Sequence, residues 1–170
     1  SLLKKAGWED KDGDGIVENE DGEKLELTLV CQTSHPVREK TAVVIQENLK
    51  EIGVKIDIDS MEFSSVMDKV VSNHEFDLYM MGNTLSLDPD PRPMWHSDAI
   101  SNEKGVIGYN IVAYDNQETD KLIEEGNATL DQSEREAIYG KFAKILNEDV
   151  PEAYLFCQDI ERVYNSKLEG

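Results

Sequence analysis

Apolar positions along the chain recur in two different periods, and the switches between those periods mark the elements. Leu25, Leu27 and Leu29 alternate with Glu26 and Thr28 up to Val30, the period of two that a strand requires. Ala42, Ile45, Leu49 and Ile52 then recur at helical spacing, with Pro36 placed in a first turn and Gly53 as the stop. Val54, Ile56 and Ile58 against Lys55, Asp57 and Asp59 form the cleanest strand pattern in the chain. Phe63, Val66, Met67, Val70 and Val71 share one face of a further helix. Phe76–Met81, mostly apolar, reads as a central strand.

From Gly82 to Asn110 the periodicity disappears into prolines, glycines, Asp, Asn and Ser. A segment that long inside a compact domain tends to be functional. Helical spacing returns over Glu118–Ala128. Asp131 with Glu134 then opens another helix as an N-cap and N3 pair, on which Ile138, Phe142, Ile145 and Leu146 share a face up to Pro151. Tyr154–Cys157 and Ile160–Tyr164 read as two short final strands, and residues 1–8 as the last turns of a helix stopped by Gly7. The succession predicts an α/β fold: a mixed, largely parallel sheet flanked by helices, with right-handed crossovers and one unit over 1–170.

Charge narrows the function classes. With 17 Lys and Arg against 36 Asp and Glu, the net charge is −19. So few cations argue against a nucleic-acid partner and against a basic membrane-surface helix. Apolar residues make up 39% of the chain, enough for a core in a domain of this length. Cys31 and Cys157 match no zinc spacing; they are either a disulfide pair or two small buried residues.

The acidic stretch from Glu9 to Glu23 carries eight carboxylates in fifteen residues. Counting Asp10 as the first position, Asp12 and Asp14 follow at the third and fifth, Gly15 at the sixth, Ile16 with its carbonyl at the seventh, Glu18 at the ninth and Asp21 at the twelfth. That is the spacing by which a loop wraps oxygens around Ca²⁺, although a strand and not a helix follows it. The loop is therefore either a structural Ca²⁺ clip or a solvated acidic turn, and no other cofactor is required. His35, His74 and His96 fall at no transition-metal spacing. No Gly-x-Ser-x-Gly elbow or phosphate-cradling glycine loop is present, so the expectation is a chain that is not an enzyme.

The loop after the third strand suits a binding rim, because ligands of α/β proteins tend to sit beyond the carboxyl ends of parallel strands. It supplies Asn83, Thr84, Leu85, Ser86, Asp88 and Asp90 on proline-stiffened backbone, then Trp95, which is either a cleft wall or a core plug.

Leu2–Leu3–Lys4–Lys5–Ala6–Gly7–Trp8 with Asp10–Lys11–Asp12–Gly13–Asp14–Gly15, then Arg38, Leu49–Val54, Phe76–Tyr79, Gly82, Asp88–Pro91, Trp95–Ser97, Asn110, Tyr114, Asn116, Asp120–Glu125 and Ala143–Pro151 occur in an order that resembles the C-terminal lobe of family 5 extracellular solute-binding proteins. These are the oligopeptide, dipeptide and nickel receptors of ABC importers. The resemblance implies a periplasmic-binding-protein-like lobe of the type II class and a peptide ligand held between this lobe and an N-terminal lobe. It further implies ABC permease subunits as partners, a monomeric receptor, and an extracytoplasmic setting, in the periplasm or at the cell surface through a lipid anchor upstream. Ser166–Gly170 would be where the chain heads back to the hinge.

In several peptide-binding relatives an Asp four residues after the glycine-aromatic start of the rim loop anchors the ligand's α-amine. Here that position is Ser86 and the aromatic is Asn83, so Asp88 takes over the anchor or the ligand has no free amine. The alternatives are a receptor of the same fold for a nickel chelate, glycoside or other solute, and a calcium-stabilised extracellular interaction module.

Overall fold

The computed structural model describes residues 2–84, 88–100 and 108–157; the expected strand at Ile160–Tyr164 and the run Ser166–Gly170 lie outside them. β1 (Glu26–Gln32), β2 (Lys55–Met61) and β3 (Leu78–Met80) form a three-stranded sheet in the order β2-β1-β3. Both pairings are parallel, and Leu29 lies opposite Ile58 on one side and Leu78 on the other. α1 (Leu2–Lys5) ends at Gly7, whose φ of +87° reverses the chain as a glycine stop should.

The central strand is β1 and not the segment 76–81, contrary to the sequence expectation. Leu29, Val30 and Cys31 of β1 are exposed by 3% or less, because the strand is covered on both faces. β3 joins the sheet late: the Asp77 carboxylate accepts the Thr28 backbone N–H at 2.8 Å, so a side chain holds the position that a ladder bond would otherwise fill.

Successive side chains of β1 point to opposite faces. Leu29 and Cys31 pack with Ala42, Val54, Ile56 and Met80 beneath α2 (Pro36–Lys50). Val30 packs on the other face with Val66, Val70, Val71 and Ile111. The expected helix over 63–71 begins as α3 (Phe63–Val66) but continues as a π-helical segment, Met67–Ser72. Val70 and Val71 both pack on the sheet beside Val66, as their shared helical face requires.

A second core lies under a helical hairpin. α5 (Gln117–Ala128) is capped by the Asn116 side chain, which accepts from Glu118 N–H at 2.9 Å. α6 (Gln132–Asp149) is capped by Asp131, which accepts from Glu134 N–H at 2.9 Å, as the sequence predicts. Leu122, Ile123, Ile138, Phe142 and Leu146 pack there with Trp95 from α4 (Arg92–Trp95). Close contact at the hairpin needs Gly126, since a β-carbon there would stand 2.4 Å from Tyr139 Cε1. Val150 takes a left-handed φ of +49° before Pro151.

The segment 82–110 is less irregular than its composition suggests, holding α4 and a 3₁₀ turn at Ser97–Ala99. Asn110, fully buried, ties it to the hairpin: its amide donates to the His96 and Tyr114 carbonyls and accepts the Tyr114 N–H. With every polar atom paired, this buried amide holds its surroundings in one arrangement.

Tyr154–Cys157 is not a strand. Among the described residues no segment pairs with it, and without a ladder Tyr154, Leu155 and Phe156 stay exposed. Cys31 is buried as expected, whereas Cys157 is exposed and unpaired with it. Just before this segment, Tyr79 of β3 donates its hydroxyl to Glu152 at 3.2 Å, joining the end of the hairpin to the sheet. Among the described residues no helix is long and apolar enough to cross a membrane.

Ile123→Ala, at a position of 0% exposure, should cost about 2–5 kcal/mol in urea unfolding, whereas Leu130→Ala, at 95% exposure, should change stability by less than about 0.5 kcal/mol. Burial raises the Glu152 carboxyl above its ordinary value, partly offset by the Tyr79 hydroxyl. The fold thus favours the neutral acid, and stability falls as pH rises through the carboxylate range toward that raised value. Glu152→Gln mimics the neutral form, so its stability advantage over wild type should be present at pH 7 and vanish near pH 4. An advantage that does not depend on pH would contradict this linkage.

Candidate functional site

In the order β2-β1-β3 the chain leaves β1 toward β2 on one side while β3 lies on the other. Parallel sheets open a crevice at such a switch point, outside the carboxyl ends of the strands. Three connections meet there: Thr33–His35 after β1, Glu62 and Phe63 after β2, and Gly82–Thr84 after β3.

The β1–α2 connection is tightly held. Thr33 N–H donates to the Met61 carbonyl at 2.8 Å and Thr33 Oγ1 to Glu62 at 3.3 Å, which ties the ends of β1 and β2 together. Ser34 sits at a φ of +63°, and its N–H donates to Glu39 at 2.9 Å. His35 caps α2 by accepting the Arg38 backbone N–H. Its role is thereby structural.

Arg38 brings a cation to this crevice. Nη1 donates to Gln32 Oε1 at 2.7 Å, and Nη2 lies 2.9 Å from where a β-carbon on Gly82 would be. The guanidinium is therefore laid over the backbone that follows β3. Among the described residues Arg38 makes no ion pair, in a chain where carboxylates outnumber cations two to one. Loop position alone points to neither Arg38 nor Gln32. The signal available was Arg38 one turn into the helix that follows the first strand.

The residues expected at the rim divide. Asn83 and Thr84 are exposed on the chain directly after Gly82, next to Arg38. Leu85 and Ser86 lie outside the described residues. Asp90 is occupied structurally, accepting from Arg92 N–H at 2.9 Å and from the Asn127 amide at 2.7 Å. Asp88 is exposed and stands near Tyr139, whose phenol is raised chiefly by burial and further by the Asp90 and Asp88 charges. Both carboxylates thus approach the α5–α6 hairpin.

Trp95 is a core residue and not a cleft wall. It is 6% exposed and meets Tyr114 edge to face at 6.1 Å between ring centres. Its apolar surroundings decide between the two expected placements, since the hairpin core takes a large ring at that position. A shallow cavity of about 230 Å³ lined by Thr28, Lys69, Glu75, Phe76 and Asp77 lies toward the amino end of β3, away from the crevice.

The acidic loop forms a second constellation. Asp10, Asp12, Asp14 and Glu18 each bring one carboxylate oxygen within 4.8 Å of the others. Asp10 accepts from Gly13 N–H at 2.7 Å and Gly15 N–H at 3.1 Å, and both glycines adopt positive φ. Glu9 and Glu18 exchange backbone hydrogen bonds and close the loop at its base. That closure corrects the twelve-residue reading: the chain turns back at Asn19–Gly22, and Asp21 falls outside the cluster. Ile16 contributes its N–H to Asp14 at 2.9 Å. Lys24 pairs with Asp14 and, at 3.2 Å, with Asp12; the Asp14 carboxyl is lowered first of all by this ammonium.

Comparison with known proteins agrees with this architecture. Residues 1–105 match the family described as bacterial extracellular solute-binding proteins, family 5 Middle. The oligopeptide-binding protein AppA of Bacillus subtilis is 34% identical over 170 residues, 99% of this chain and 30% of AppA. The probable D,D-dipeptide-binding periplasmic protein DdpA of Escherichia coli is 28% identical over 85% of this chain and 27% of its own length. The solved structure of Bacillus subtilis AppA in complex with a nonapeptide superposes with a TM-score of 0.79 over 88% of this chain and 29% of that one. The chain thus spans under a third of the length of these relatives. By sequence match and fold together, it belongs to the family 5 bacterial extracellular solute-binding proteins.

Proposed function

We propose that this chain is one lobe of the substrate-binding component of an ABC importer, and that its crevice forms one wall of a peptide-binding cleft closed by a second lobe. The observation that carries the reading is Arg38, held over Gly82 at the switch point with no carboxylate partner among the described residues. A guanidinium in this position offers a planar set of donors to a ligand carboxylate or to the carbonyls of an extended peptide. Exposed backbone at Asn83 and Thr84 can add main-chain hydrogen bonds, which favour peptides irrespective of side chain. The likeness to AppA, solved with a nonapeptide, supports the same ligand class.

On this reading the protein works by binding and release, not bond chemistry. Two lobes close around the solute as a hinged clamp, and the closed form is what the permease subunits meet outside the cytoplasm, in the periplasm or at the cell surface. One lobe provides only part of the burial surface, so this chain by itself should bind peptides very weakly.

Denaturing the full-length receptor, purified without refolding, should release a mixture of peptides detectable by mass spectrometry. A single non-peptide solute or a metal chelate would move the ligand to another class. In that receptor Arg38→Ala should weaken peptide binding by about tenfold or more while leaving the melting temperature close to wild type. Asp88→Ala tests the amine anchor in the same titration; unchanged affinity would remove it from the site.

A further inference from the structure

We infer that the loop from Asp10 to Glu18 is a calcium site whose ligands are the carboxylates of Asp10, Asp12, Asp14 and Glu18, with the Lys24 ammonium as the counter-ion that calcium displaces. The inference does not depend on the ligand proposed for the crevice. Four exposed acids alone would mean little, but Glu18 is not exposed. It is 4% accessible and contributes an oxygen to the cluster. Its Oε2 accepts the Lys11 N–H at 2.8 Å, while its Oε1 is buried with no hydrogen-bond partner among the described residues. A carboxylate oxygen shut away from water without a donor is costly unless a cation meets it.

The donor set favours calcium. Four protein carboxylates whose oxygens gather within 4.8 Å of one another suit an ion that accepts six to eight oxygens in flexible geometry, whereas magnesium keeps most of its waters and is seldom held by an all-protein cage. Four carboxylates leave coordination places for water, and a cavity of about 190 Å³ lined by Lys11, Asp12, Glu18, Gly22 and Lys24 adjoins them. Lys24 now supplies one positive charge to Asp12 and Asp14; a divalent ion would neutralise the cluster more completely, and the flexible lysine can swing aside.

The site lies at the opposite end of the sheet from the crevice. Val17 N–H donates to the Gly53 carbonyl at 2.8 Å, just before β2, and Leu25 N–H to the Val17 carbonyl at 2.9 Å, just before β1. Calcium there would clip the loop to the amino ends of both strands and act on stability.

The test is calorimetric titration and thermal melting of the chain after chelator treatment, with Ca²⁺ and Mg²⁺ as probes. Calcium should bind one ion per chain and raise the melting temperature on the order of 5 °C at a hundredfold excess over its dissociation constant. Asp12→Asn should abolish that rise. Lys24→Gln, which removes the internal counter-ion, should lower the melting temperature without calcium and enlarge the rise with it. No rise in either the wild type or Lys24→Gln would overturn the assignment, as would an equal rise with Mg²⁺ or in Asp12→Asn.

Discussion

Everything in this lobe is organised around the double burial of β1. A strand that hydrogen-bonds on both edges and packs on both faces has no solvent-facing side, and Leu29, Val30 and Cys31 satisfy that demand with alternate side chains sent to opposite layers. α2 can lie on one face only because Leu29 and Cys31 point there, and the π-helical segment can lie on the other only because Val30 does. The same strand fixes where the crevice opens, since its carboxyl end is where the flanking connections part.

The regular elements were legible in the sequence because each has a local cause. Alternation marks β1 and β2, helical spacing marks α2, and Asn116 and Asp131 cap α5 and α6 from one residue outside each helix. What remained hidden depends on distant partners. The apolar run at 76–81 suggests a central strand, but Asp77 spends its carboxylate on Thr28 and shortens the pairing. Trp95 could have faced ligand or core, and only the assembled hairpin decides.

The site shows the same division. Loop position puts Asn83 and Thr84 at the rim, because chain after a parallel strand lies at the carboxyl end by topology alone. It chose Asp90 as well, which the fold uses to hold Arg92 and Asn127. Arg38 belongs to the ordered set that resembles the family, but spacing gives it no place in the site: a lone arginine on an amphipathic helix looks like any solvated charge until Gly82 is brought beneath it. In the acidic loop the spacing singled out Asp10, Asp12, Asp14 and Glu18 correctly as neighbours, yet no spacing rule could anticipate that the Glu9–Glu18 bridge would close the loop before Asp21.

Among the described residues β3 hydrogen-bonds along one side only, to β1. A sheet edge of this kind is a template for another strand, and strands recruited from neighbouring molecules lead to aggregation. β3 is only three residues long, so the template extends for about 10 Å. Too short to register a foreign strand firmly, it leaves self-association of this lobe to be governed by the mutual repulsion of a surface carrying a net charge of −19.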